Sequence, residues 1–257
     1  MITRLLVIAT VLSSLPSLAQ IAKPADTPRA LVANAQQLVV VTTASWAAKQ
    51  GSLRRFERLG SGWSEVGVPV AVVVGTSGLG QGIDGGVAAA PDAPKKAEGD
   101  GRAPAGAFAL TRVFGKASAP KSLLPSARTS PGLVCIDDVT HPAYNRVVDW
   151  PKTAVPAYRS AEQMVRKDAL YDVVVVVDFN HAERDGAERG AGSCVFLHVW
   201  RGADKGTAGC TAMARASLDD VVAWLDASKH PVLVQLPADH YLRVEKDWAL
   251  PLLARPR

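Results

Sequence analysis

The stretch Tyr171-Asp-Val-Val-Val-Val-Val-Asp-Phe179 decides the fold. Five consecutive valines at Val173–Val177 leave neither face of a strand polar, so this strand belongs in the centre of a sheet with apolar neighbours on both sides. Outward from it, further β-branched runs stand between Gly, Ser, Asn and Pro, the residues that end strands. Strands are expected over Gln37 to Thr43, Leu53 to Arg58, Trp63 to Val74, Phe108 to Phe114, Leu133 to Ile136, Arg146 to Asp149, Val195 to Val199 and Val232 to Leu236. The first three follow one another closely enough to form a β-meander.

Helical signals are few. Ser160-Ala-Glu-Gln163 has the form of a capping box and predicts a short helix to about Ala169. Ser217-Leu-Asp-Asp220 opens a second, whose apolar positions Leu218, Val221, Val222 and Leu225 recur at helical spacing. Residues 75 to 106 are dense in Gly, Ala, Pro and Asp and read as a long loop system. Within it Gly80-Gln-Gly82-Ile-Asp-Gly85 matches a dinucleotide fingerprint, but the Gly, Ala and Pro that follow supply no long helix, so a surface loop is the better account. With no internal repeat and no clear linker, the chain reads as one domain, mainly β with short helices, a β-rich α+β class.

At 257 residues and 48% apolar composition the chain can bury a full core, which excludes disorder, collagen and coiled coil. Its charge excess of +5 is scattered rather than gathered in a basic stripe with interleaved aromatics, which argues against nucleic acid as a partner. Met1-Ile-Thr-Arg4, an apolar centre from Leu5 to Leu12, and small residues up to Ala19 compose a secretory signal peptide over residues 1–19, with a buried strand or helix as the alternative. Residues 20–35, rich in Ala and Pro, are expected to be a flexible lead-in. The folded domain is placed at 36–237, with a tail, 238–257, wrapped on its outside. No other apolar run approaches the roughly 20 residues of a membrane helix.

Export implies an oxidising compartment, where an even pair of cysteines forms a disulfide and an odd one is a liability or a working thiol. Cys135 and Cys194 open apolar strands, whereas Cys210 lies in the small-residue loop Gly206-Thr-Ala-Gly-Cys-Thr-Ala212. A Cys135 to Cys194 bridge with Cys210 free is therefore expected. His198, at the end of an apolar strand, precedes Cys210 by twelve residues across a glycine-containing loop. A histidine within hydrogen-bond reach is the usual way to make a thiol nucleophilic at neutral pH. Spacing alone leaves a structural histidine and an inert buried thiol equally open.

Four ordered segments shift that balance. Gly192-Ser-Cys-Val-Phe-Leu-His198 with Thr207-Ala-Gly-Cys210-Thr resembles the signature of the L,D-transpeptidase catalytic domain, the YkuD-type family. Glu98-Gly-Asp-Gly-Arg-Ala-Pro-Ala-Gly-Ala-Phe108, Tyr144-Asn-Arg-Val-Val-Asp149 and Val177-Asp-Phe-Asn180 are similar to further recurrent segments of it. The resemblance spans roughly residues 36 to 237. It implies a mixed β-sandwich of the L,D-transpeptidase type and a periplasmic cysteine acyltransferase acting on peptidoglycan stem peptides. Cys210 is then the nucleophile, His198 the general base and Gly209 a backbone donor to the oxyanion. Thr207, Thr211, Trp200, Asn180 and Tyr144 are candidates for lining the substrate site. An amine or water acceptor resolves the thioester, and neither a metal nor an organic cofactor is called for.

The chain departs from that pattern in three respects, the first a His198-to-Cys210 interval shorter than that of the better-studied members. Better-studied members carry a second histidine where this chain has Ala208 and an arginine where it has Ala212, which puts the donor specificity in doubt. Two rivals use the same sequence differently: an L,D-carboxypeptidase or amidase with the same residues, and a non-catalytic wall-binding module. Among the other histidines, His181 and His141 are expected at the surface, and His230 and His240 match no motif.

Overall fold

The computed structural model describes residues 27–83, 93–116, 119, 121–150, 152, 156–183 and 186–253. The expected signal peptide and Gly85 of the fingerprint lie outside them. Among the described residues the fold is β-rich α+β with a mixed sheet. Its strands are β1 Gln37–Thr43, β2 Gln50–Leu59, β3 Gly62–Val73, β4 Leu79–Gln81, β5 Ala103–Gly115, β6 Ser126–Arg128 and β7 Leu133–Ile136, then β8 Val147–Asp149, β9 Ala161–Gln163, β10 Val173–Val177, β11 Phe196–Val199, β12 Thr211–Met213 and β13 Val232–Pro237. The helices are α1 Pro28–Asn34, α2 Arg215–Trp224 and α3 Ala238–Val244.

The valine strand is where the sheet closes. β10 pairs antiparallel with β11 on one side and with β5 on the other. From β11 the ladder runs through β12, β3, β2, β1 and β13 to β5, so eight strands form a closed ring of pairings. Val173, Val175 and Val177 enter the main core inside this ring, while Val174 and Val176 face a second core with Phe114, Tyr171 and Phe196. All five valines are buried, as their unbroken apolar run requires. The meander is present as β1–β2–β3, antiparallel throughout, and β1 also pairs parallel with β13.

The second core is covered by a small sheet, β8–β7–β9. Here the structure corrects the helix expected from Ser160. Residues 161–163 are instead a strand, β9, in register with β7, with Glu162 opposite Cys135. Exposed Gln163 makes no capping bond, while Met164 is fully buried. A ten-residue helix is marginal by itself, and pairing with an existing strand outweighs it. The second helix begins at Arg215, two residues earlier than expected. The chain turns into it straight from Met213, so Ala214 occupies the cap position without a side-chain bond. Leu218, Val221 and Val222 are buried as the spacing requires.

From Thr27 onward the lead-in is also more ordered than its composition implies; residues 20–26 lie outside the described residues. Thr27 caps α1 through its hydroxyl on the Ala30 amide, Pro28 fills the first turn and Val32 is fully buried. In the tail, Tyr241, Val244, Trp248 and Leu250 join the main core, and the Tyr241 hydroxyl donates to the Pro251 carbonyl at 2.7 Å. His141, expected at the surface, is buried because its ring is bonded on both sides, by the Ala143 amide and at the Pro156 carbonyl. No helix among the described residues is long and apolar enough to cross a membrane.

Cys135 and Cys194 form the disulfide, with Cα atoms 5.9 Å apart, and Cys210 is free. The bridge fastens the covering sheet to the segment that leads into β11. It spans a sequence separation of 59, for which chain-entropy arguments give about 4 kcal/mol at most. The double variant Cys135→Ser/Cys194→Ser is expected to lose roughly 2–4 kcal/mol in urea unfolding, with a smaller loss wherever the unfolded chain keeps residual structure.

Candidate active site

His198 and Cys210 are brought together by two adjacent parallel strands. His198 pairs with Ala212, two residues beyond Cys210, so by the period of two Cys210 and His198 lie on one face. They meet in a cleft of about 190 Å³ whose walls also include Glu162, Tyr171, Trp200 and Thr207. The Tyr171 ring stands edge-on to the imidazole, centroids 5.1 Å apart.

The loop that carries Cys210 is held from several directions. The Thr207 amide donates to the Val74 carbonyl at 2.9 Å, and its carbonyl accepts from the Thr76 amide at 2.8 Å. The Thr207 hydroxyl donates to the Cys210 carbonyl at 2.7 Å and accepts from the Gly209 amide at 3.1 Å. Gly209 lies against the Arg102 carbonyl, where an added Cβ would come within 3.0 Å. Arg102 is itself fixed, its guanidinium donating to the Ser77 and Leu79 carbonyls at 2.6 and 3.0 Å. Asp100 accepts from the Arg102 amide at 2.9 Å, and Gly101 makes that turn at φ +67. The Gly99-Asp-Gly-Arg segment is thus the bed on which the cysteine loop rests.

Electrostatics leave the pair neutral. Burial holds His198 down, to about 4, so its imidazole is uncharged at neutral pH. Its Nδ1 lies 2.8 Å from the Val199 carbonyl, an acceptor only, which assigns the ring proton to Nδ1 and leaves the lone pair on Nε2. Burial, followed by the nearby Glu162 carboxylate, pushes the Cys210 thiol well above its usual range. A bond from the Phe196 amide and one from Tyr171 oppose this without cancelling it. The thiol donates to the Cys194 carbonyl at 3.5 Å. Tyr171 in turn donates to Glu162 at 2.5 Å.

Of the candidate residues, Cys210, His198, Thr207 and Trp200 line the cleft, and Gly209 sits in its loop. The Gly209 amide is engaged by Thr207 rather than free for an oxyanion. Three other candidates are displaced. Thr211 points to the opposite face, where its hydroxyl donates to Gln235 at 2.6 Å. Asn180 is fully buried and bonds to Glu188 and to the Gly192 carbonyl. Tyr144 walls a separate cavity of about 390 Å³ and bonds to Glu98 at 2.5 Å.

Of these, Asn180 and Tyr144 form a brace behind the cleft, both bonding to Gly192. Asn145, which sequence reading passed over, donates to the carbonyls of Phe179 and Asn180 at 2.8 and 2.9 Å and accepts from the Cys194 amide at 2.8 Å. It adopts φ +66, as Asn tolerates. The segments around Glu98, Tyr144 and Phe179 therefore meet at the turn before His198, as scaffold more than lining. Glu162, Arg166, Tyr171, Arg201 and Lys205 line the cleft and were also missed. Nothing local marks them, because they arrive from the covering sheet and from loops.

No family model matches the chain, and no curated protein matches it. Among solved structures it is similar to Bd1075 of Bdellovibrio bacteriovorus at 10% identity and a TM-score of 0.39, over 84% of this chain and 55% of that one. The chain thus spans little more than half the length of that protein.

A thiol held up by burial titrates late. Alkylation of Cys210 by iodoacetamide, followed by mass spectrometry, is expected to be slower at pH 7.5 than for an exposed cysteine and to keep rising past pH 9; a plateau below pH 8 contradicts the site described above.

Proposed function

We propose that the protein is an exported cysteine acyltransferase of the L,D-transpeptidase type, acting on peptidoglycan stem peptides through a Cys210 thioester with His198 as general base. The observation that carries this reading is the shared cleft face on which a free thiol stands with an imidazole whose Nε2 lone pair is unprotonated. The disulfide supports an oxidising compartment.

In this reading the thiol proton passes to His198 Nε2 as the sulfur bonds to the scissile carbonyl carbon. The tetrahedral intermediate collapses with loss of the amine, which takes the proton from His198. An amine or a water then attacks the thioester, giving up its proton to the same nitrogen, and Cys210 recovers its own. Because the resting pair is neutral, proton transfer accompanies attack and no preformed thiolate is involved. With the Gly209 amide bonded to Thr207, that loop has to shift if Gly209 is to serve the oxyanion.

One observation favours a second reading, a non-catalytic wall-binding module: the thiol is raised rather than lowered. Incubation with a carbapenem and intact-mass measurement separates the two. The enzyme is expected to form an adduct that maps to Cys210, absent in Cys210→Ala and slowed about 10²–10⁴-fold in His198→Ala. Absence of acylation by both the drug and stem peptides leaves the binding module. The acid limb of acylation is expected near pH 4, since His198 stays neutral above it, rather than near the usual 6.5 of histidine.

A further inference from the structure

Glu162 belongs to none of the recurrent segments and takes no part in the acyl-transfer step, yet it lines the cleft beside the reacting sulfur. The Tyr171 hydroxyl donates to its Oε2. Among the described residues no ammonium or guanidinium lies within ion-pairing distance of it. Arg166, which lines the same cleft, acts on Glu162 only at a distance, because its guanidinium forms two bonds to Asp168, at 2.9 and 2.6 Å, and stacks over the Tyr171 ring at 5.1 Å. Burial first, then the negative charge of Asp137 and Glu98, holds the Glu162 carboxyl above its usual range, against the Tyr171 bond and the more distant charge of Arg166. A partly buried carboxylate without a cationic partner is costly, and a cation brought to it recovers that cost. Arg201 and Lys205 line the same cleft with mostly exposed side chains, so the negative charge sits beside the thiol and the positive charges reach into solvent.

We propose that Glu162 is a specificity-determining residue that takes an ammonium group on the side chain of the donor peptide, with Tyr171 holding the carboxylate in place beside the Cys210 sulfur. The inference rests on the acyl-transfer reading for the identity of that donor. An ammonium seated there cancels the charge that disfavours the thiolate and adds one that favours it, so recognition and activation of the nucleophile are coupled. A donor lacking the amine leaves the thiol in its resting, raised state. Neither residue was marked in the sequence, because β9 carries Glu162 to the cleft only once it has paired with β7.

The test is calorimetric titration of the Cys210→Ala protein, which cannot react, with L-lysyl-D-alanine and with its Nε-acetyl form. The free amine is expected to bind at least tenfold more tightly, and the difference is expected to vanish when Glu162→Gln is added, since that change removes the charge but keeps an acceptor for Tyr171. Equal affinity of the two dipeptides, binding of neither, or a difference that survives Glu162→Gln overturns the proposal. The comparison of ligands on the protein that retains Glu162 stands even where the double variant fails to fold. Acylation of wild-type Cys210 is scored separately by mass spectrometry. Lack of acylation with the amine preference intact removes the acyltransferase reading and leaves the ammonium site, and acylation without the preference does the reverse.

Discussion

Closure of the ring at β10 is the constraint on which the rest depends. An isolated strand of five valines is an aggregation hazard, since both its faces and both its edges invite partners. The chain meets all four demands at once. β5 and β11 take the edges, the ring interior takes Val173, Val175 and Val177, and the covering sheet takes the face that bears Val174 and Val176. That last requirement creates the site. The covering sheet protects the outer valines, and β9, which it uses to do so, ends in the segment that walls the cleft with Glu162 and Arg166.

The disulfide follows from the same geometry. The second core is smaller than the one inside the ring, and a three-stranded sheet of short strands buries little area of its own. Cys135 lies on the central strand of that sheet, and Cys194 on the turn into β11, held at φ +55. Joining them fixes the distance between cover and ring at the point where the Cys194 carbonyl receives the Cys210 thiol. Asn145 holds the same turn from behind through the Cys194 amide. The Cys210 thiol is thus placed by a covalent tie and a buried amide, both at one residue.

Features with a strong period or composition were legible in the sequence. Unbroken apolar runs located β1, β7, β10, β11 and β13, and compartment with cysteine parity located the bridge. Features that depend on partners distant in the chain were not. The capping-box pattern at Ser160 lost to strand pairing with β7, since local propensity is a weaker force than a ladder bond to a preformed neighbour. Three-residue strands such as β12 leave no period to detect, although β12 sets the register that aligns Cys210 with His198. Asn180 and Tyr144 stand outside the cleft and bond to the backbone of the turn before His198, because a buried amide or phenol finds its partners among nearby carbonyls and amides more readily than in an open cleft.

Burial accounts for the character of the chemistry as well as for the fold. The enclosure that keeps His198 unprotonated also keeps Cys210 protonated, because low polarity disfavours both charges. A preformed thiolate–imidazolium pair would need a source of field to stabilise it, and Glu162, which acts on the thiol more strongly than the opposing Lys96, has the wrong sign. The site is therefore built to hold a neutral pair at rest. In an oxidising compartment that has a physical advantage, since the thiolate is the form that oxidants and disulfides attack. On the proposed acyl-transfer reading, reactivity arrives with the ligand, which is the role open to a positive charge docking on Glu162.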